Sequence, residues 1–237
     1  IITSLLVAVH TVNAIAPLPE DKTMAPARIA AQLIQCEQCG LLVKPVVYYL
    51  SLLTISDDYG ELNDCRLVLE CVTEDMEIKK SVLQKMQASV APDTVLASNT
   101  SAIPISTLQK FVTRPERFIG IHWAEPAFAT RFLEIICGEQ TSAETADWVF
   151  ELAHCWGKEP TLLRKDIRGF ITNRLMYSVY REALGLVDSG QTSVEDADKA
   201  FRYDAGSWMT FMGIFRRMDF MGLKDYSVIF KALFPVL

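Results

Sequence analysis

Long apolar runs are missing from this 237-residue chain, and no segment reaches the ~18 uninterrupted apolar residues a membrane-spanning helix needs. Basic charge is also in deficit: 23 Lys and Arg face 29 Asp and Glu, and the net charge of -6 argues against nucleic acid as a partner. Six cysteines are too few over this length for a disulfide scaffold. Cys71 and Cys137 lie inside apolar runs and read as reduced core residues, which points to a reducing compartment, the cytoplasm. Cys36-Glu37-Gln38-Cys39 has neither a second pair for zinc nor a thioredoxin-like context, so it reads as incidental and no metal is expected. Repeats and low-complexity tracts are absent. Histidine is scarce, with three in all, so the place of each one matters.

What remains is an ordinary globular composition, 50% hydrophobic and 22% charged, long enough for one large domain or two smaller ones. Ile1 to Pro17 is apolar and carries a cleavage-like Val12-Asn13-Ala14, but it has no basic n-region and no initiating Met. It reads as the start of a fragment rather than as a secretory signal.

Ile1 to Val9 is too short for periodicity to separate helix from strand. His10–Ile15 reads as a strand, Asp21–Gln35 as an amphipathic helix stopped by Gly40, and Leu50–Ile55 as a strand. From there strands and helices alternate: Leu67–Val72, helix Met76–Val90, Val95–Ala97, short helix Pro104–Phe111, Phe118–Ile121, Phe132–Cys137, helix Thr141–Trp156, Thr161–Leu163. That alternation implies βαβ units and an α/β fold with a mainly parallel sheet. After Asp166 the pattern is helical only, with helices at Phe170–Asp188, Ser193–Phe201, Thr210–Phe220 and Lys224–Leu233. The expected division is therefore an α/β domain over 1–166 and an all-helical domain over 167–237.

Three apolar runs carry polar residues able to do chemistry: Ser101 after Leu96–Ala97, His122 after Phe118–Ile121, and Glu134 within Phe132–Ile136. In a parallel sheet such strand ends share the edge where ligands bind. A carboxylate inside an apolar run is costly to bury unless paired, and a His–Glu pair meets that cost while orienting the ring for proton transfer. The plainer reading leaves Glu134 facing solvent on an edge strand. Ser98-Asn99-Thr100-Ser101 fits either a helix cap or hydrogen bonds to a substrate oxygen. Asn173 fits either a cleft amide or a first-turn stabiliser. Glu74 to Lys80 reads as the charged start of a helix.

Taken together, Glu70-Cys71-Val72-Thr73-Glu74-Asp75 with Lys79, Ala97-Ser98-Asn99-Thr100-Ser101, Arg114 to His122, Glu134, Lys165-Asp166 and Gly169 to Arg174 resemble the L-3-hydroxyacyl-CoA dehydrogenase family. The motifs run in register from about residue 50 to 225. The resemblance implies a Rossmann-type NAD domain followed by a helical domain that dimerises. It implies oxidation of an L-3-hydroxyacyl-CoA, or a related 3-hydroxy acid, with NAD in fatty-acid β-oxidation. His122 would be the general base and Glu134 its orienting carboxylate, with Ser101 and Asn173 holding the substrate. Glu74, Lys79, Ser101 and Glu125 would lie on the cofactor side.

The departures are as specific as the matches. No G-x-G-x-x-G occurs anywhere, so the first strand and its Gly-rich loop are missing from the expected fold, and NAD affinity should be poor. No acidic residue follows the second strand, where Asn13 is the polar substitute. Glu125 replaces the family's usual Asn and Arg168 its usual Pro. Phe215-Arg216-Arg217-Met218-Asp219 points to a variant subgroup with an unusual acyl substrate. The alternative is a non-catalytic relative that keeps an acyl-CoA-binding or dimer-scaffold role.

Overall fold

Alternation of strand and helix is what the computed structural model displays over residues 1–235, the residues it describes. The elements are α1 Ile2–Val7, β1 Val12–Ile15, α2 Pro19–Gln38, α3 Val46–Leu50, β2 Leu53–Ser56, β3 Leu67–Glu70, α4 Met76–Ala88, β4 Val95–Ser98 and α5 Ile105–Leu108. They continue as β5 Phe118–Trp123, β6 Phe132–Cys137, α6 Ala143–Cys155, β7 Glu159–Leu163, α7 Thr172–Asp188, α8 Val194–Tyr203, α9 Ala205–Met209, α10 Ile214–Met221 and α11 Leu223–Leu233. Ile1–Arg174 forms one unit, and a second begins at Leu175.

In the first unit a five-stranded sheet runs in the order β3-β4-β5-β6-β7, all parallel except the antiparallel pair β5–β6. β1 and β2 pair in parallel as a separate two-stranded sheet. Hydrogen bonding is thus interrupted between β1 and β3, where the missing first strand would lie in a Rossmann order. Asn13, the polar residue of β1, donates its Nδ2 N–H to Glu61 O at 2.8 Å.

Period-2 patterning sorts each central strand between two cores. Ile119, Ile121, Trp123, Leu133, Ile135 and Cys137 face α6. Phe118, Ile136, Leu96 and Val68 face α4, α5 and Phe170. A third core of Leu6, Val12, Ile29, Leu33 and Tyr49 joins α1, α2 and α3 to β1 and β2. Side chains cap the helices that matter here: Asp75 accepts from Glu77 N and Ile78 N at α4, and Ser142 accepts from Thr145 N at α6.

Several sequence expectations need correction. Cys71 is exposed, because β3 ends at Glu70 and the thiol falls in the following loop. Glu134 is 1% exposed on a strand flanked by β5 and β7, so the edge-strand reading fails. α7 starts at Thr172 rather than Phe170, since Gly169 (φ 78°) and Phe170 (φ 50°) are left-handed. The expected helix Thr210–Phe220 is α10 alone, Ile214–Met221, with residues 210–213 a turn that follows the short α9, and α3 had no periodic signal over its 5 residues.

The second unit holds the rest of α7 and α8 to α11. Ser193 accepts from Asp196 N and starts α8. None of the described residues of α8 to α11 is buried.

Candidate functional site

His122 and Glu134 meet because β5 and β6 pair antiparallel with these two residues directly opposite. Directly opposed residues project from the same face. Glu134 is therefore not at the end of a parallel strand, as the sequence suggested; it lies near the start of an antiparallel one. His122 Nδ1 is 2.9 Å from Glu134 Oε2. An ionised carboxylate only accepts, so Nδ1 carries the proton and Nε2 is left as the acceptor. The ring packs against Phe132 and Phe170, each 5.7 Å away between centroids.

The other carboxylate oxygen is also committed. Oε1 accepts from Ile171 N at 3.0 Å, Thr172 N at 2.9 Å and Thr172 Oγ1 at 3.3 Å. The left-handed Gly169–Phe170 step turns these consecutive N–H groups toward the carboxylate, an anion-binding arrangement of backbone dipoles. Burial pushes the Glu134 carboxyl up, but the hydrogen bonds from His122, Thr172 and Ile171 outweigh it and hold the group below its ordinary value. It stays a carboxylate.

Asn173 follows in the first turn of α7, and its Nδ2 donates to Ser101 O at 2.9 Å. Ser101 is exposed at the turn after β4. That turn does not cap a helix, since α5 has Pro104 at its N-cap. It closes on itself, Thr100 Oγ1 accepting from Ile103 N at 3.0 Å, and on Glu74, whose Oε1 accepts from Thr100 Oγ1 at 2.5 Å and Ala102 N at 3.1 Å. Burial raises the Glu74 carboxyl, yet the Thr100 hydroxyl, the Lys79 ammonium and the Ala102 N–H bring it below the ordinary value.

A chain of contacts therefore runs from His122 by hydrogen bonds to Glu134 and Thr172, along the backbone to Asn173, by hydrogen bonds to Ser101 and Glu74, and by an ion pair to Lys79. Glu125 is off this path, exposed in the β5–β6 loop three residues beyond His122. Lys79 is on it but only 1% exposed.

Sequence reasoning missed several supports. Asn99 Oδ1 accepts from Trp123 N at 3.0 Å, tying the exit of β4 to the end of β5. Lys158, 4% exposed, donates to Ala127 O at 2.6 Å and to Thr130 O, pinning the loop that carries Glu125. Burial lowers the tendency of this ammonium to hold its proton. Asp166 accepts from Ser106 N at 2.6 Å and Ser106 Oγ at 2.9 Å. Asn99 and Asp166 stood within the motifs of the resemblance without a role of their own, and Lys158 was marked only by the Gly before it.

As to a dinucleotide, the exposed Glu74 carboxylate, Ser101 and the His122 edge lie at the C-terminal ends of β3, β4 and β5, where the nicotinamide end would be held. No Gly-rich turn is present to let a backbone approach a pyrophosphate. The residues fit one end of the cofactor only. Among the described residues no group of three or more His, Cys, Asp or Glu could hold a metal ion, and no helix is long and apolar enough to cross a membrane.

Comparison with known proteins supplies the context. Residues 1–167 match the family model for the NAD-binding domain of 3-hydroxyacyl-CoA dehydrogenase, and residues 169–236 match that for its C-terminal domain. The chain is 34% identical over 179 residues to 5-formyl-3-hydroxy-2-methylpyridine 4-carboxylate 5-dehydrogenase of Mesorhizobium japonicum, covering 75% of this chain and 58% of that protein. It is 33% identical over 185 residues to 3-hydroxybutyryl-CoA dehydrogenase of Clostridioides difficile, covering 78% and 64%. The chain thus spans about three-fifths of the length of these curated relatives. Among solved structures, a 5-formyl-3-hydroxy-2-methylpyridine 4-carboxylic acid 5-dehydrogenase, described as an NAD+-dependent dismutase, superposes with a TM-score of 0.89 at 28% identity, covering 97% of this chain and 74% of that one. Mycobacterium tuberculosis FadB2 superposes with a TM-score of 0.81 at 29% identity, covering 86% and 73%. The chain belongs to the 3-hydroxyacyl-CoA dehydrogenase family.

Proposed function

We propose that this protein is an NAD-dependent dehydrogenase that oxidises the hydroxyl of an L-3-hydroxyacyl-CoA, or of a related 3-hydroxy acid, to the 3-oxo product. The observation that carries this reading is the His122–Glu134 pair, with Nδ1 and Oε2 2.9 Å apart and Oε1 of the same carboxylate fully engaged by Ile171 and Thr172. Fixed on both oxygens, Glu134 locks the ring so that Nε2 faces the substrate and takes the hydroxyl proton. The imidazolium that results lies against a buried carboxylate, which stabilises the charge. Ser101 and Asn173 orient the substrate oxygen, and Glu74 and Glu125 shape the cofactor side. NAD, when bound, accepts the hydride. Everything else asked of the protein is placement.

The test is turnover of 3-hydroxybutyryl-CoA and longer homologues at millimolar NAD, followed by NADH absorbance. His122→Gln is expected to lower kcat by about 100- to 10,000-fold without weakening NAD binding. Turnover that survives the substitution refutes the assignment of the base. A chain with no turnover at all favours the acyl-CoA-binding or scaffold role instead.

A second substrate reading follows from the TM-score of 0.89 to the pyridine-carboxylate dehydrogenase, and it is a ring-bound formyl or hydroxymethyl group instead of a CoA thioester. Parallel assays with that class of compound separate the two. We further place the protein in a reducing compartment, the cytoplasm, on its six free thiols, and read it as a homodimer through the C-terminal helices.

A further inference from the structure

Two of the ionisable groups behind the site are almost wholly inside the protein: Glu70, at the end of β3, is 2% exposed and Lys79, on α4, is 1% exposed. Lys79 Nζ is 2.9 Å from Glu70 Oε1, 3.0 Å from Glu70 Oε2, 3.2 Å from Val72 O and 3.3 Å from Glu74 Oε2. An ammonium has three protons and no acceptor capacity. Four protein oxygens therefore use all that Lys79 can donate, and no face of it is left for a ligand. Glu70 is equally committed, accepting from Val72 N at 2.6 Å on Oε1 and from Ser98 Oγ at 2.6 Å on Oε2.

What this buried pair holds is Glu74. One oxygen of Glu74 is fixed by Lys79, which aims the other at the turn after β4. That second oxygen accepts from Ser101 N at 3.2 Å, Ala102 N at 3.1 Å, Ile103 N at 3.4 Å and Thr100 Oγ1 at 2.5 Å. Ser98, already bonded to Glu70, accepts from Thr100 N at 3.2 Å, so the turn is held from both sides. A buried ion pair is weak evidence for stability, since apolar residues of similar volume often serve the fold as well. Its value lies in fixing one geometry.

We propose that Lys79 and Glu70 are positioning residues, which set the Ser101 turn through Glu74, and that Lys79 acts on the reaction through the protein and not as a ligand of the cofactor. The proposal builds on the dehydrogenase reading for its effect on turnover, while its structural half stands without it.

The test replaces the buried charges together, Glu70→Gln with Lys79→Met, so that no lone ion is left inside. Amide hydrogen exchange is read on the 237-residue chain. The amides of Ser101, Ala102 and Ile103 are expected to exchange at least tenfold faster, while those of α4 and α6 keep their wild-type rates. In turnover, kcat is expected to fall about tenfold, and any rise in KM for NAD is expected to be matched by Glu74→Gln alone, since Glu74 lies on the cofactor side. Wild-type exchange at residues 101–103 overturns the proposal, as does a rise in KM for NAD at constant kcat that Glu74→Gln does not reproduce, which would make Lys79 a cofactor ligand. If the double variant does not fold, Lys79→Arg, whose planar fork cannot occupy the ammonium's place, is read by the same two measurements with the same criteria. A wild-type chain without turnover sinks the dehydrogenase reading and leaves the exchange result to decide this one.

Discussion

Glu134 shows how much one side chain can be asked to do. It accepts four hydrogen bonds, one from the catalytic candidate and three from the entry to α7, at 1% exposure. Its amide analogue presents an NH2 to at least one of these donors. Glu134→Gln is therefore expected to lose about 1–3 kcal/mol of stability and to lower kcat roughly 100-fold or more. The two effects are separable, because thermal melts report the first and turnover well below the melting temperature reports the second. The pH dependence carries a sign. A carboxyl held below its ordinary value of 4.5 adds stability that is fully present above that pH and is lost as pH falls through the lowered value. Glu74 acts in the same direction. The wild-type melting temperature should thus drop steeply below about pH 4.5, and Glu134→Gln should flatten that acid limb. An unchanged limb would show that Glu134 is not the group being titrated.

At the scale of elements, the site depends on the one antiparallel pair in its sheet. The sequence marks β5 and β6 as strands through their apolar runs, but the relative direction of two strands leaves no trace in periodicity. Ser101, His122 and Glu134 were legible as polar residues in apolar surroundings, yet the reason Glu134 reaches His122 is register and not a shared strand-end edge. The Gly169–Phe170 turn was equally hidden, because Phe extends an amphipathic pattern and its left-handed φ of 50° is set by tertiary packing. Cys71 misled for a similar reason: apolar neighbours do not say where a strand stops. Gly120 offers a test of the packing behind β5. A Cβ there would lie 2.7 Å from Ile105 Cδ1 and 3.1 Å from Ile136 Cβ, and the latter belongs to the neighbouring strand. Gly120→Ala is expected to cost about 1–3 kcal/mol in denaturant unfolding, and to lower activity by displacing His122 two residues on. A neutral result would mean that Ile105 can swing away without moving β6.

For the whole molecule, two features outside the His122–Glu134 pair bear on what it does in solution. The second unit buries none of its described α8–α11 residues, and Phe211, Phe215 and Phe220 are 84%, 81% and 79% exposed. Apolar surface of that kind marks an interface, so light scattering should give twice the chain mass at micromolar concentration, and a monomer would refute the homodimer reading. The other feature concerns the cofactor. A parallel sheet holds a dinucleotide across its C-terminal edge, and the pyrophosphate needs the Gly-rich turn and helix N-terminus that follow the first strand. Here the sheet is interrupted between β1 and β3, and no G-x-G-x-x-G occurs within these 237 residues. On the proposed reading Glu74, Ser101 and the β5 end hold the nicotinamide side, but that is a part of the contact surface, and affinity is the surplus left after the cost of ordering a long flexible ligand. A Kd for NAD of about 1 mM or weaker is therefore expected for these 237 residues by calorimetry, and a micromolar Kd would require roughly 4 kcal/mol more from contacts the chain does not encode. If micromolar binding is found, the pyrophosphate is held by residues other than a glycine-rich turn, and the division of the site into a complete catalytic half and an incomplete cofactor half is wrong.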